Sequence, residues 1–289
     1  MDNAANDDQY GPSWVLDMPN DEYHKRPQPG SSRLKEMLTG TPAAYLHKTL
    51  NPEPAKSNDA YTLGTLAHLL LMQPQLADSE VAVTPGFDRR TKQGKADAEA
   101  FDIANKGKLI VTLDMWDAAV QMALNAVHHP KVAALMDGAV FESSVFFEHK
   151  PTEQLFKVRP DWLPLGRPFI VDVKTTTDAS WSGMQRSIMN YHYDLSAAMY
   201  IEGCNSNAEL LDRMQVQRYE GFVLLCIEKE PPYQVALYEI SPEYLQIGHG
   251  KFLLAAQRYA DAMKNNFPSY PQTIRVIEPP PWAGKLLEI

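Results

Sequence analysis

The residues most able to do chemistry are Lys157-Val-Arg-Pro-Asp161 and, after ten intervening residues, Asp172-Val-Lys174. In a strand through Phe169–Lys174, successive side chains point to opposite faces. Phe169, Val171 and Val173 then face apolar packing, and Ile170, Asp172 and Lys174 face the other way. Asp172 and Lys174 become neighbours, and a hairpin brings Asp161 beside Asp172. Two carboxylates and an ammonium at a sheet edge suit metal-assisted phosphodiester hydrolysis. Hard oxygen ligands favour Mg²⁺, which binds through one or two carboxylates and keeps several waters. The ion lowers the pKa of a bound water and stabilises charge on the scissile phosphate. Lys174 can orient or deprotonate that water and offset transition-state charge. A lone Asp-x-Lys also occurs as an ordinary surface salt bridge. What raises the pattern above chance is Asp161, preceded by Arg-Pro and followed by an apolar strand.

Two further residues fit. His68 ends Gly64-Thr-Leu-Ala-His68 on a leucine-rich helix. A histidine there is more commonly structural, yet neutral imidazole is a metal ligand, and Gly64 one turn earlier permits close approach. Glu142 opens Phe141-Glu-Ser-Ser-Val-Phe-Phe147 and can lie near the Asp161 end of a meander as a third carboxylate. Arg89, Arg90, Lys92 and Lys95 form the densest basic cluster, either a solvated loop or a phosphate-tracking arm. Arg33, Lys35 and Ser32, at a helix start, suit a terminal 5′-phosphate. Arg159 can reach a phosphate or a carboxylate. Trp162, Trp181 and Tyr191 suit core packing more than base stacking.

Periodicity supplies the elements that position these residues. Ser31 or Ser32 is placed to cap a helix from Arg33 to Lys48, which Pro42 breaks or restarts. Helices follow over 58–73, 96–105, 114–127 (capped by Asp114) and 130–136, with a short strand at 81–84 and a basic loop over 85–95. Residues 141–150, 154–159 and 168–174 alternate with period two and read as a three-strand antiparallel meander. Helices at 181–189 and 195–203, strands at 220–228 and 233–239, and a long helix over 242–264 complete the order. The fold class is α+β (mixed α/β), one central sheet with helices packed on it. The expected organisation is an acidic flexible arm over 1–30, a folded domain over 31–266 and a Pro-rich tail over 267–289.

The chain has 289 residues, 44% hydrophobic and 22% charged, enough for a sizeable core. No apolar run reaches membrane-spanning length, so no membrane is expected. Cys204 and Cys226 lack metal spacing and read as reduced thiols of a cytoplasmic protein. The net charge of −9 argues superficially against a nucleic-acid partner. Six acidic residues and no Lys or Arg fall within residues 1–24, however, so the remainder is only mildly acidic.

The motifs occur in an order that resembles a known family. They are Asp21-Glu-Tyr-His24 with Ser31–Leu34, Thr41-Pro-Ala-Ala-Tyr45, Gly64–His68, Arg89–Lys95, Glu142, Arg159-Pro-Asp161 and Asp172-Val-Lys174-Thr-Thr176. Across roughly residues 20–265 they resemble the PD-(D/E)xK nuclease superfamily. More narrowly, they resemble the RecE-type exonuclease VIII group of phages and prophages, related to lambda exonuclease. The resemblance implies a restriction-endonuclease-like core and a divalent metal, Mg²⁺ or Mn²⁺, with two ions per site. Asp161 and Asp172 would bind metal, Lys174 would be the catalytic lysine, and His68, Glu142 and the Val173 carbonyl would complete the shells. It also implies 5′→3′ digestion of linear double-stranded DNA, 3′ single strands for a RecT-like annealing protein, and a ring-like homo-oligomer. A family Gln-x-x-x-Tyr helix reads here Ser196-Ala-Ala-Met-Tyr200, with serine in place of glutamine. The rivals are a Cas4-like or repair nuclease, whose iron–sulfur cluster needs four cysteines, and a non-catalytic DNA-end-binding recombination scaffold. Loss of Asp161, Asp172 or Lys174 would mark the scaffold, and all three are present.

Overall fold

The computed structural model describes residues 11–52 and 58–280. In chain order the first elements are β1 (Ser13–Val15), α1 (Asn20–Lys25), α2 (Ser31–Thr39), α3 (Pro42–Leu50), α4 (Asp59–Met72), α5 (Ala77–Glu80) and β2 (Val81–Val83). Next come α6 (Lys92–Ala104), β3 (Leu109–Val111), α7 (Leu113–His128), α8 (Pro130–Met136), β4 (Val140–Phe141), β5 (Ser144–His149), β6 (Gln154–Val158) and β7 (Trp162–Leu163). The last are β8 (Phe169–Thr176), α9 (Trp181–Tyr191), α10 (Tyr193–Asn205), α11 (Ala208–Arg213), β9 (Gly221–Glu228), β10 (Val235–Glu239) and α12 (Pro242–Lys264).

The central sheet has the order β10-β9-β8-β7-β4, with β8 and β9 parallel and the other pairs antiparallel. It is a mixed sheet flanked by helices, as the α+β reading expected. On one face, Val171, Val173, Leu225 and Ile227 meet Leu66 and Ala67 of α4 and Ala119, Met122 and Ala126 of α7. On the other, Ile170, Phe222 and Leu224 meet Leu34 of α2, Leu195 and Met199 of α10 and Phe252 of α12. The strand β8 is buried on both faces from Ile170 to Val173, so Asp172 is a buried carboxylate within an otherwise apolar stretch.

The expected meander is divided. β5 and β6 form an antiparallel hairpin, but they join β1 in a separate three-stranded sheet. β8 pairs instead with the two-residue β7 and with β9. The division falls at Glu142–Ser143 on one arm and Arg159-Pro160-Asp161 on the other, where Pro160 has no N–H for a ladder.

Local chemistry moved several boundaries. Pro42 restarts the chain as α3, whose N-cap Thr41 accepts from the Ala44 N–H at 3.2 Å. The α2 N-cap is Gly30, without a side-chain cap, so neither Ser31 nor Ser32 caps it. Thr112, not Asp114, caps α7, accepting from the Met115 N–H at 3.2 Å. The basic loop ends early because Thr91 caps α6 from Lys92.

The arm expected over 1–30 is not free from Ser13 onward. Ser13–Val15 pairs with Val145's strand in antiparallel register, and Met18 and Tyr23 pack against Phe146. The Lys157 ammonium donates to the carbonyls of Tyr23 at 2.6 Å and Arg26 at 2.7 Å. Residues 1–10 of that arm lie outside the described part. At the other end, Phe267 stacks on Tyr45, and residues 268–280 form neither helix nor strand. Residues 281–289 of the expected tail lie outside the described part. Among the described residues, no helix is long and apolar enough to cross a membrane.

Candidate active site

The interruption of the two paired arms is where the carboxylates gather. Glu142 sits in the left-handed region, φ 50°. A non-glycine residue pays a conformational cost there, and such residues cluster at functional sites. Its N–H donates to the Asp161 carbonyl at 3.1 Å, so the backbone stays bridged across the break. The bend turns both side chains toward β8. There the Asp161 carboxylate (Oδ2) accepts from the Val173 N–H at 2.7 Å.

His68 arrives from α4. That helix lies so close to β8 that a Cβ on Gly64 would stand 2.8 Å from the Thr175 hydroxyl oxygen. The glycine one turn before the histidine therefore serves helix–strand approach. His68 Nδ1 stands 4.0 Å from Asp161 Oδ2. One ligand atom each from His68, Glu142 and Asp161 lie within 4.8 Å of one another. Burial, followed by Lys174, pushes the His68 imidazole down to about 4, leaving it neutral with a lone pair to give. Burial raises Asp161 well above the usual carboxylate range, reinforced by Asp172 and Glu142 and opposed by Lys174. Burial also raises Glu142, with Arg159 opposing it. Two carboxylates held together against desolvation and mutual repulsion are a donor set that a divalent cation would relieve.

Asp172 lies outside that tight ligand group. It pairs with the Lys174 ammonium, while sharing the buried space with Asp161. Burial alone would pull the Lys174 amine down, but Asp172 and Asp161 outweigh it and raise it above its ordinary value. The ammonium lies over the Tyr193 ring, 5.0 Å from its centroid, and Lys35 lies 5.6 Å from the same centroid. Burial, then Lys174, brings Lys35 down to about 8.

His68 and Glu142 open onto a cavity of about 800 Å³ that Arg159, Thr175, Tyr191 and Tyr193 also line. A second cavity of about 1070 Å³ shares Asn20, Glu142 and Arg159 with it, and adds Lys25, Arg26, Arg33, Lys48 and Lys157. A carboxylate-lined chamber thus adjoins a cationic one.

The sequence matches, over residues 30–278, a family described as a PDDEXK-like domain of unknown function (DUF3799). The chain belongs to this family. Membership supports the PD-(D/E)xK superfamily reading and does not single out the RecE-type group. A crystal structure of a "Putative exonuclease" from Eubacterium rectale superposes with a TM-score of 0.59 at 17% identity. The alignment covers 94% of this chain and 98% of that one, and it shows a shared fold. A second solved structure, SSO0001, aligns over 77% of this chain and 84% of its own at 14% identity, with a TM-score of 0.26 that carries no argument. No curated protein matches the chain.

Around this PDDEXK-like centre the other expected residues are distributed unevenly. Arg159 is buried and committed to protein. Its Nε lies 2.9 Å from Glu142 Oε2 and donates to the Glu142 carbonyl at 3.0 Å, and Nη2 donates to the Met18 carbonyl at 2.9 Å. It is a holder of Glu142, not a free DNA contact. Arg89 pairs with Asp102 at 3.5 Å and Arg90 with Asp88 at 2.9 Å. Both, with Lys92 and Lys95, are exposed around the start of α6, and none lines either cavity of the site. Arg33 lines the cationic cavity while paired with Glu36 and hydrogen-bonded to the Thr49 hydroxyl.

Ser196 donates to the Ser31 hydroxyl at 3.2 Å, and the half-buried Tyr200 one turn on also interacts with Ser31. The two supporting residues therefore tie α10 to the start of α2 beside the cationic cavity. Trp162 is fully buried in the core, whereas Trp181 and Tyr191 are exposed and Tyr191 lines the first cavity. Sequence reasoning missed Tyr193 as the cover of Lys174, and Asn20 in the wall of both cavities. The Tyr191-His-Tyr193 run next to the expected Ser-x-x-x-Tyr helix was a usable signal for the first. Asn20 had none, because it lies in the stretch read as a free arm.

Proposed function

We propose that this chain is a divalent-metal-dependent nuclease acting on linear double-stranded DNA, an exodeoxyribonuclease working 5′→3′. The observation that carries the reading is the convergence of His68, Glu142 and Asp161 beside the Asp172–Lys174 pair, with His68 and Glu142 in the wall of a cavity that adjoins a cationic one. The donor set fits Mg²⁺ or Mn²⁺: two buried carboxylates supply hard oxygens and a neutral imidazole supplies nitrogen. His68, Glu142 and Asp161 would hold the ion, with Asp172 and the Val173 carbonyl near enough in the fold to complete its shell or that of a second ion. When bound, such an ion supplies Lewis-acid stabilisation of phosphate charge and a more acidic water.

The chain's own residues do the rest. Arg159 fixes the Glu142 carboxylate by its ion pair, and the Val173 N–H fixes Asp161. Lys174 stays an ammonium, because its pKa is raised. It orients the attacking water and offsets phosphate charge; a raised pKa does not suit it to deprotonate that water. Lys48 and Arg33 in the adjoining cavity receive the terminal phosphate of the strand being digested. On the RecE-type reading, the 3′ single strands left behind go to a RecT-like annealing protein. The chain then acts in the bacterial cytoplasm as part of a phage or prophage, as a ring-like homo-oligomer around its DNA.

Linear duplex labelled at either the 5′ or the 3′ end, incubated with Mg²⁺ or Mn²⁺, tests this. Release of 5′ label ahead of 3′ label, with closed circular duplex left intact, is the expected result. Cutting of the circle contradicts the end-dependence, and binding without any hydrolysis supports a scaffold instead.

A further inference from the structure

We propose that the chain carries a second metal site, for a divalent transition ion of the zinc class, formed by His149, Glu202 and His249. The three come from different elements: His149 ends β5, Glu202 lies on α10 and His249 on α12. His149 Nε2 stands 3.7 Å from Glu202 Oε1, and His249 Nε2 stands 3.8 Å from Glu202 Oε2. Such separations are near those between two ligands of one zinc ion, whose bonds to nitrogen and oxygen are about 2.0–2.2 Å. The two imidazoles flank opposite oxygens of the carboxylate. Closing the site therefore needs one ring to turn, and the His249 side chain is 53% exposed and able to do so.

The independent observation is His149 itself. Its side chain is 1% exposed, wedged against Phe156 and Phe252, and aimed at Glu202. Its Nδ1 is 2.8 Å from the Thr152 hydroxyl, but its Nε2 is buried without a hydrogen-bond partner. Leaving a buried polar atom unpaired is costly. With the Nδ1 proton given to Thr152, Nε2 presents a lone pair toward a carboxylate, an arrangement that a cation between them resolves. A ring nitrogen anchored on its far side by a hydroxyl is also the usual support of a ligating histidine. Burial lowers the His149 imidazole, with His249 adding to it, and burial raises Glu202, so both environments disfavour a simple ion pair.

The place is separate from the carboxylate centre. Glu202 and His249 line a surface cavity that shares no residue with either cavity of that centre. His149 stands at the opposite end of β5 from Glu142, about 20 Å along a strand. Around the site, Lys251 on α12 is committed to Asp194 at 2.6 Å, and Lys150 to Glu148 at 2.9 Å. α12 and α10 are already in close contact, since a Cβ on Gly248 would collide with the Asp194 backbone. An ion here would staple the β5–β6 turn to that helix pair.

The test uses the full chain, freed of metal by chelation and titrated with Zn²⁺ or Mg²⁺ while its melting temperature is followed. Co²⁺ absorption reports coordination in parallel. Expected is a melting temperature raised by Zn²⁺ in the native chain and also in Asp161→Asn, where the carboxylate centre is disabled and Mg²⁺ has no effect. His249→Ala and Glu202→Gln should each weaken Zn²⁺ binding about 10- to 100-fold or more, and both sites are exposed enough to tolerate the change. The proposal is overturned if the native chain shows no Zn²⁺ effect. It is equally overturned if, in the Asp161→Asn background, the effect survives both substitutions, or if it vanishes in Asp161→Asn alone, which would assign it to the carboxylate centre.

Discussion

Replacing Arg159 separates a residue that holds the site from one that holds DNA. In Arg159→Met the side chain keeps much of its length but loses the ion pair to Glu142 Oε2 at 2.9 Å and the bonds to the carbonyls of Glu142 and Met18. The Arg159 side chain is 8% exposed and that of Glu142 20%, so solvent screens the pair little. Removing one partner of a buried pair costs about 3–5 kcal/mol, because the other charge is left uncompensated. For a chain of this size each kcal/mol lowers the melting temperature by about 2–4 °C, so a loss of roughly 10 °C is expected. The metal-free chain should show it in thermal and urea denaturation. Restoring neutrality with Arg159→Met combined with Glu142→Gln should recover a large part of the stability while leaving hydrolysis absent. Unchanged stability of Arg159→Met, with only weaker and less salt-sensitive DNA binding, would refute the reasoning and return Arg159 to the DNA surface.

Four further outcomes follow from the geometry. Gly64→Ala drives a methyl against Thr175 and moves His68. Single-turnover hydrolysis should fall by about 10-fold or more, with partial rescue by adding Thr175→Ala. Asp161→Asn keeps an acceptor for the Val173 N–H but removes a charge whose pKa is raised by burial and by Asp172. In chelator at pH 7 its melting temperature should therefore rise while activity is lost, and a lower value would contradict the repulsion argument. The same shift has a sign in pH: the Asp161 contribution to metal-free stability is full below its unfolded value near 3.8 and is lost as pH rises through its elevated folded value. Urea midpoints of the native chain and Asp161→Asn across that range, with and without Mg²⁺, check it; Mg²⁺ should remove the difference in slope. Tyr193→Leu removes the ring under the Lys174 ammonium and should lower the hydrolytic rate several-fold with DNA affinity kept.

How far the sequence carried these conclusions differs by residue. The alternation around Asp172 placed Lys174 beside it and Val171 and Val173 in the opposite core, because a strand buried on both faces still obeys period two. The approach of Asp161 to β8 was legible for a different reason, since a chain reversal between Asp161 and Phe169 returns it alongside that strand. The bend at Glu142 was not, since a positive φ on glutamate is imposed by tertiary packing and has no propensity signal. It split an apparently continuous meander into two sheets and left β4 and β7 only two residues each. The sequence left Arg159 open between a phosphate and a carboxylate, because the partners that decide for the carboxylate, at Glu142 and Met18, are brought to it by the fold. Met18 and Tyr23 belong to a segment whose acidic composition resembled a solvated arm, although two buried side chains and the Lys157 ammonium fix it in place. The basic run at Arg89–Lys95 shows the reverse: local charge density is visible in sequence, but that Arg89 and Lys95 line a cavity apart from the two of the centre is not.

The central claim is that His68, Glu142 and Asp161 gather a divalent ion beside a catalytic ammonium. Its most direct test is single-turnover hydrolysis of 5′-labelled linear duplex in Mn²⁺ by the native chain, Asp161→Asn and Lys174→Ala, with Mn²⁺ binding measured on the same preparations. The account predicts hydrolysis by the native chain only, Mn²⁺ binding lost in Asp161→Asn and retained in Lys174→Ala. Hydrolysis that persists in Lys174→Ala, or Mn²⁺ binding unchanged in Asp161→Asn, would contradict it.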